Sequence, residues 1–357
     1  FVVERLGLTM PELPAVHIRR AAATITPAAM TLGELGLTIG RSDLAANGQL
    51  SGYIGYLLRG DMLSGRLYVK SDLLDLNEMM NVMPDSAPEE TPETSSAGTS
   101  AEPAQALEVP RNLNLSLNTE LQKVLFQKMT VSGISGEMRV AGGALSLERL
   151  RMQLFGGSAT ASGSYSTATA SGSYSTAADP QRPALKLALG LAGASFSKTF
   201  DELEMVQKLV PLFAKTGGDY SLSLDMTTAL DPNMEPDLQS LDATGEIKSA
   251  NIRIQNLEAF DALAKALDND KLRKIEAKDV AVRFSIRDGR ITTQPFDLKM
   301  GDIKINMSGS TGLDQTIDYT AKVALPAGSA GGILESVNVG IGGTFTSPKI
   351  TLGVKEA

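Results

Sequence analysis

Cysteine and tryptophan are absent from this 357-residue chain, and histidine occurs once, as His17. Without cysteine there is neither a disulfide framework nor a thiolate metal site. A Ser–His–Asp or Cys–His constellation would have to use His17, and a zinc site needs three or four spaced ligands, so His17 alone reads as a polar surface residue. No G-x-S-x-G elbow and no G-x-x-x-x-G-K-[ST] phosphate loop occurs. Carboxylates are plentiful, but nothing in their spacing singles out a general acid and its base. These absences point to a protein that is not an enzyme and uses no cofactor or metal.

Aromatic residues are scarce at 5%, so the 42% apolar content is mostly aliphatic, together with 14 Met. No apolar run reaches the roughly 20 residues of a membrane-spanning helix. The chain begins at Phe1 in patterned sequence without an initiator Met, which reads as a fragment or processed product, with any upstream signal or anchor out of view.

The net charge of −8 is concentrated. Between Met83 and Val109 stand Asp85, Glu89, Glu90, Glu93, Glu102 and Glu108, with no Lys or Arg. The remainder is nearly neutral and shows no basic stripe, which argues against a nucleic-acid partner. The same stretch, PDSAPEETPETSSAGTSAEPAQALE, is rich in Pro, Ser, Thr and Glu and nearly devoid of apolar side chains. It cannot bury enough surface to offset its chain entropy. We read 84–108 as a disordered linker or loop, between a β-rich repeat segment at 1–83 and a longer β region at 109–357.

Elsewhere the dominant pattern has period two, the mark of strands with one apolar and one polar face. Leu63, Gly65, Leu67 and Val69 alternate with Ser64, Arg66, Tyr68 and Lys70. Leu113, Leu115 and Leu117 form a second row, and Leu185, Leu187, Leu189 and Leu191 a third. Leu222, Leu224 and Met226 follow. Val280, Val282, Phe284 and Ile286 lead into Asp288-Gly289, a pair suited to a type I′ hairpin turn because both central residues need positive φ. The chain returns through Ile291, Phe296, Leu298 and Met300, turns again at Gly301-Asp302, and continues through Ile303, Ile305 and Met307. Two helices are expected within this pattern. One spaces Phe200, Leu203, Val206, Val210 and Phe213 along a stripe, with a kink at Pro211 and an end at Gly217-Gly218. The other spaces Leu257, Phe260, Ala264 and Leu267, with Asn256 as N-cap. The Met-rich stretch after Leu76 suits a further turn or two. The fold class is mostly β: a long curved antiparallel sheet with an apolar face, plus two or so short amphipathic helices.

Several stretches, taken in order from Arg111 onward, resemble the C-terminal region of AsmA-like proteins of Gram-negative envelopes. They are LERLRMQLFGGSATASGSYST, the helix–strand–Met-x-Pro segment from Phe200 to Leu257, VRFSIRDGRITTQPFDLKMGDIKINMSG, and the closing VGIGGTFTSPKI. The resemblance implies kinship with TamB and the bridge-like lipid transfer proteins. It further implies a periplasmic location with tethering to the inner membrane by an N-terminal anchor, and an apolar β-groove that conducts phospholipids towards the outer membrane.

On this reading the partners are phospholipid acyl chains, the inner membrane, and an outer-membrane or periplasmic protein. The expected groove lining is Leu185, Leu187, Leu189, Leu222, Leu224, Met226, Val280, Val282, Phe284, Ile286, Ile291, Phe296, Leu298, Met300, Ile303, Ile305 and Met307. Two alternatives remain at this point. The rows fit a closed core as well as an open groove, because both alternate. The chain also fits a non-enzymatic scaffold or regulator of outer-membrane protein targeting that pairs with clients along strand edges.

Residues 160–168 and 169–177 are identical, TASGSYSTA twice. An odd repeat length places Tyr165 and Tyr174 on opposite faces of a continuous strand. One copy is therefore expected in the sheet and the other outside it, as a tandem duplication without chemistry of its own.

Overall fold

The computed structural model describes residues 2–8, 16–80, 109–167, 182–231, 234–324 and 336–353. The expected disordered stretch 84–108 and the second copy of the nine-residue repeat, with Tyr174, lie outside the described residues. The chain is mostly β. It divides into two compact units, Phe1–Met152 with Ser162–Leu185 and Ala229–Glu235, and Gln153–Ala161 with Lys186–Thr228 and Pro236–Ala357.

The first unit contains β1 (Val2–Leu8), β2 (Val16–Ile25), β3 (Ala29–Ile39), β4 (Ser42–Ser51), α1 (Tyr53–Arg59), β5 (Leu63–Ser71), β6 (Leu74–Asp75), α2 (Leu76–Met80), β7 (Leu113–Phe126) and β8 (Met129–Ala141). It also holds most of β9 (Ala144–Leu154) and the end of β10 (Gly157–Ser166). β1 to β5 form successive antiparallel pairs. β5 then pairs with β7 in parallel, Leu63 opposite Leu113 through Ser71 opposite Leu121, and β7 pairs antiparallel with β8. The strands on either side of the acidic stretch are thus sheet neighbours. α2 is capped by the carboxylate of Asp75, which accepts from the N–H groups of Asn77 and Glu78 and pairs with Arg41.

The second unit continues with most of β11 (Ala184–Ser195), α3 (Phe196–Glu202), α4 (Glu204–Leu209), a 3-10 turn at Pro211–Lys215, β12 (Thr216–Gly217), β13 (Asp219–Ala229) and β14 (Asp242–Ile254). Next come α5 (Glu258–Ala266), a 3-10 turn at Asp270–Arg273, β15 (Ile275–Arg287), β16 (Arg290–Met300), β17 (Ile303–Gly312), β18 (Ile317–Ala324), β19 (Ser336–Gly343) and β20 (Pro348–Leu352). From β13 to β20 every chain neighbour is an antiparallel sheet neighbour.

The Asp288-Gly289 turn has the expected form, with φ of 49° and 68° and Arg287 opposite Arg290. Ile291 and Phe296 are an odd number of residues apart and yet share a face. One extra residue between Thr293 and Phe296 makes a bulge there, at Pro295, which has no N–H to give the ladder.

The helices differ from expectation in detail. The stripe from Phe200 to Phe213 is broken at Leu203 and again before Pro211 into α3, α4 and a 3-10 turn, and Gly217 already belongs to β12. Pro211 cannot donate a helical hydrogen bond, so α4 stops at Leu209. Asn256 is not the N-cap of α5. Leu257 holds that position, and Asn256 sits in the left-handed region at φ 55°, turning the chain out of β14. α1 is an addition that the sequence pattern did not announce.

Candidate functional site

Residues opposed in a ladder point to the same side, so apolar rows can be followed from strand to strand. In the first unit one row runs Ile25–Met30–Leu50–Gly65–Leu115–Val140 and the next Ala23–Leu32–Gly48–Leu67–Leu117–Met138. Leu35 with Ala46 and Val69, and Ile18 with Leu37 and Leu44, extend the same face. Leu32, Leu35, Leu37, Leu44, Leu50, Leu67, Leu115, Leu117, Met138 and Val140 are all half-buried, neither sealed nor free.

The two described helices of this unit sit at opposite strand ends. Asn112 donates to the Gly60 carbonyl that ends α1, and Asn77 of α2 exchanges hydrogen bonds with Gln127 at the β7–β8 turn. Neither covers the middle rows. The other face is polar, with Arg20–Glu34 and Lys70–Glu120 ion pairs and Ser116 donating to Glu137.

A small closed cluster flanks the open rows at the β7–β8 end: Leu121, Val124, Ile134 and Leu150, with Leu74 and Leu76 of β6 and α2 against it. Another gathers Val109, Tyr165 and Leu230 with Leu185 and Met234. Tyr165, from the first repeat copy, lies in β10 and donates its hydroxyl to the Met234 Sδ at 3.7 Å. Burial pushes its phenol up to about 12.

In the second unit three rows cross β13, β14 and β15: Leu222–Ile247–Val282, Leu224–Gly245–Phe284 and Met226–Ala243–Ile286. The last continues through Ile291, Thr311 and Ile317 and is buried along its length. Leu187, Leu189, Leu222, Leu224, Val282 and Phe284 are half-buried. The Phe284 ring lies over Gly245, where a Cβ would stand 2.6 Å from its Cζ. The glycine is thus what lets an aromatic ring lie flat along an aliphatic row. On the reverse face Glu246 bridges Lys248 at 2.7 Å and Arg283 at 3.0 Å. These two cations hold its carboxyl below the usual range, the Lys248 bond first.

Further along, the face is closed. Val280, Leu298, Ile303 and Ile305 form one core with Phe260, Leu263 and Ala264 of α5, Leu272 of the following turn, and Val323, Val339 and Ile341. Ile303 and Ile305 are each 2% exposed and Leu263 1%. Phe296, Met300 and Met307 pack at its margin with Val282. The cluster draws on every strand from β14 to β20, and α5 packs on β20. At ~4.8 Å per strand a flat sheet would set β14 and β20 about 29 Å apart, beyond the reach of a helix about 10 Å wide. This sheet is therefore curled around α5.

α3 and its successors close another part of the face. Phe196 and Phe213 pack at a tilt against Tyr220 with ring centroids 4.6 and 5.7 Å away, and the Tyr220 hydroxyl lies 2.7 Å from Thr199 Oγ1. Burial pushes the Tyr220 phenol up to about 12.

The expected lining thus separates into three groups. Val280, Leu298, Ile303 and Ile305, with Met226, Ile286 and Ile291, are sealed in core. Val282, Phe296, Met300 and Met307 border it. Leu187, Leu189, Leu222, Leu224 and Phe284 stand half-open, and Leu185 packs in the first unit. The most continuous half-open face belongs to β2–β5, β7 and β8, whose residues the expected lining omitted. Their signal was present at Leu63–Val69 and Leu113–Leu117. In β3 it was masked by a bulge between Leu32 and Leu35 that shifts the apolar positions from even to odd.

His17 is exposed on β2. Among the described residues no group of three or more His, Asp or Glu is placed to hold a metal ion, and no helix is long and apolar enough to cross a membrane. No family model, no curated protein and no solved structure matches the chain.

Proposed function

We propose that this chain binds phospholipid acyl chains along half-open apolar sheet faces and passes them from row to row, as the periplasmic part of an envelope protein tethered to the inner membrane. The observation that carries the reading is the first unit's face, where Leu, Ile, Val and Met rows remain half-buried with no described helix over them. Burying a methylene stabilises by about 0.8 kcal/mol, so an acyl chain leaves water readily for such a wall. It leaves bilayer hydrocarbon for the same wall at little net cost, which suits conduction better than tight capture. Met30 adds an unbranched side chain that adapts to varied occupants. The resemblance to AsmA-like proteins points the same way. The sealed core under α5 serves the fold, and lipid contact in the second unit falls to Leu187, Leu189, Leu222, Leu224 and Phe284.

Lipid mass spectrometry of the chain purified without detergent tests this. Phospholipid is expected to copurify and to survive gel filtration. A lipid-free protein that also takes up no added phospholipid would remove the basis of the reading.

A further inference from the structure

Five of the six strongly exposed large hydrophobic residues among those described cluster at one end of the first unit: Ile25, Ile54, Leu57, Leu58 and Met62. Ile54, Leu57 and Leu58 stand at i, i+3 and i+4 on α1 and form one outward stripe, while Tyr53 and Gly55 face inward and are buried. Leu57 and Leu58 are each 74% exposed. α1 is held in this inverted orientation from both sides. The Tyr53 hydroxyl donates to the Thr26 carbonyl at 2.7 Å, tying the helix to the β2–β3 turn beside Ile25. Gly52 and Gly60, both in the left-handed region, bracket it. Its C-terminal end is tied down: the Gly60 N–H reaches the Gly55 and Tyr56 carbonyls, and the Gly60 carbonyl accepts from Asn112 at 3.1 Å.

We propose that this α1 knuckle is where the chain touches a phospholipid bilayer, with the Leu57/Leu58 stripe entering the boundary between headgroups and acyl chains. Two observations favour a bilayer over a protein. A stable protein interface takes roughly 800 Å² and about 20 residues per partner, built around aromatic and Arg anchors, whereas this patch is five aliphatic side chains. The only charges on α1 and the link to β5, Arg59 and Asp61, neutralise each other at 2.5 Å, so no charged partner is called for.

The patch is also continuous with the apolar face. Ile25 begins the row Ile25–Met30–Leu50–Gly65–Leu115–Val140, near this end of the strands. This inference rests on the acyl-chain reading for what lies behind the knuckle, but it is tested apart from it.

The test is flotation of the full chain with vesicles of phosphatidylethanolamine and phosphatidylglycerol, and with vesicles of phosphatidylcholine alone, at low and high salt. The chain is expected to float with both, independently of salt. The Leu57→Asp/Leu58→Asp variant should float about tenfold less or worse, since two leucines lose their apolar burial. It should keep the parent circular dichroism and its binding of the fluorescent fatty acid cis-parinaric acid. Leu117→Glu should do the reverse, floating normally and losing the first unit's share of parinarate binding, so failure of the apolar face is told apart from failure of the knuckle. A parent chain that does not float, floats only with anionic vesicles, or floats equally after both substitutions overturns the proposal. So does a dimer in light scattering that the double substitution splits while flotation stays unchanged, which would assign the patch to a second copy of the chain.

Discussion

Leu117→Glu is expected to abolish acyl-chain binding in the first unit while leaving its unfolding transition close to that of the parent. Leu117 lies in the middle of the row Gly48–Leu67–Leu117–Met138 and is half-buried. A carboxylate there still reaches water, so the fold loses only the part of the leucine surface that was covered. That is about 1 kcal/mol at ~25 cal/mol per Å². A bound acyl chain has no such outlet. It would have to lie against a charge whose desolvation costs several kcal/mol, and affinity falls by about two orders of magnitude or more. Parinarate binding read beside a denaturant titration separates the two quantities. Parent-like affinity in a folded variant would show that this face does not carry the ligand.

Ile305→Ala gives the opposite pattern. Ile305 is 2% exposed, faces Leu298 and Val323 across its two ladders, and belongs to the core under α5. Removing three buried carbons leaves a cavity that a curled sheet around a helix cannot close, and the expected cost is about 2–5 kcal/mol. Against a typical stability of about 5–15 kcal/mol this is a large fraction. Leu263→Ala, from the helix side of the same core, should cost a comparable amount. The chain has no Trp, so tyrosine emission, to which Tyr220 and Tyr319 of the second unit contribute, reports the transition. A denaturation midpoint equal to the parent's for Ile305→Ala would mean that α5 is not seated on the sheet as described.

The contrast between Leu117 and Ile305 marks how far the sequence could be read. Both stand in rows of period two, and nothing in either row says what lies over it. The strands themselves were legible. Val280 to Ile286 alternate without interruption, and Asp288-Gly289 admits few conformations other than a tight hairpin turn. α5 was legible as a helix from its spacing. That it sits across seven strands, and so turns one apolar face into a core, depends on sheet curl, which no local pattern encodes.

Other features were hidden by single residues. One extra residue near Gly33 and Glu34 flips the parity of β3, so Met30 and Leu32 share a face with Leu35 and Leu37 although strict alternation separates them. α1 lies between glycines in a stretch whose apolar residues point outward, so it has neither the polar cap nor the inward stripe by which a helix is recognised. The parallel pairing of β5 with β7 joins strands separated by the whole acidic stretch, and loop composition carries no register.

The central claim, that lipid lies on the apolar side of the first sheet, is tested most directly by site-resolved crosslinking. A benzophenone amino acid placed at Leu37 or Leu117 samples the apolar face, and one placed at Arg66 or Asn118 samples the reverse face of the same sheet. Irradiation in cells followed by mass spectrometry is predicted to show phospholipid adducts at Leu37 and Leu117 and none at Arg66 or Asn118. Adducts of equal yield on both faces, or none at Leu37 and Leu117 in a folded protein, would contradict the account.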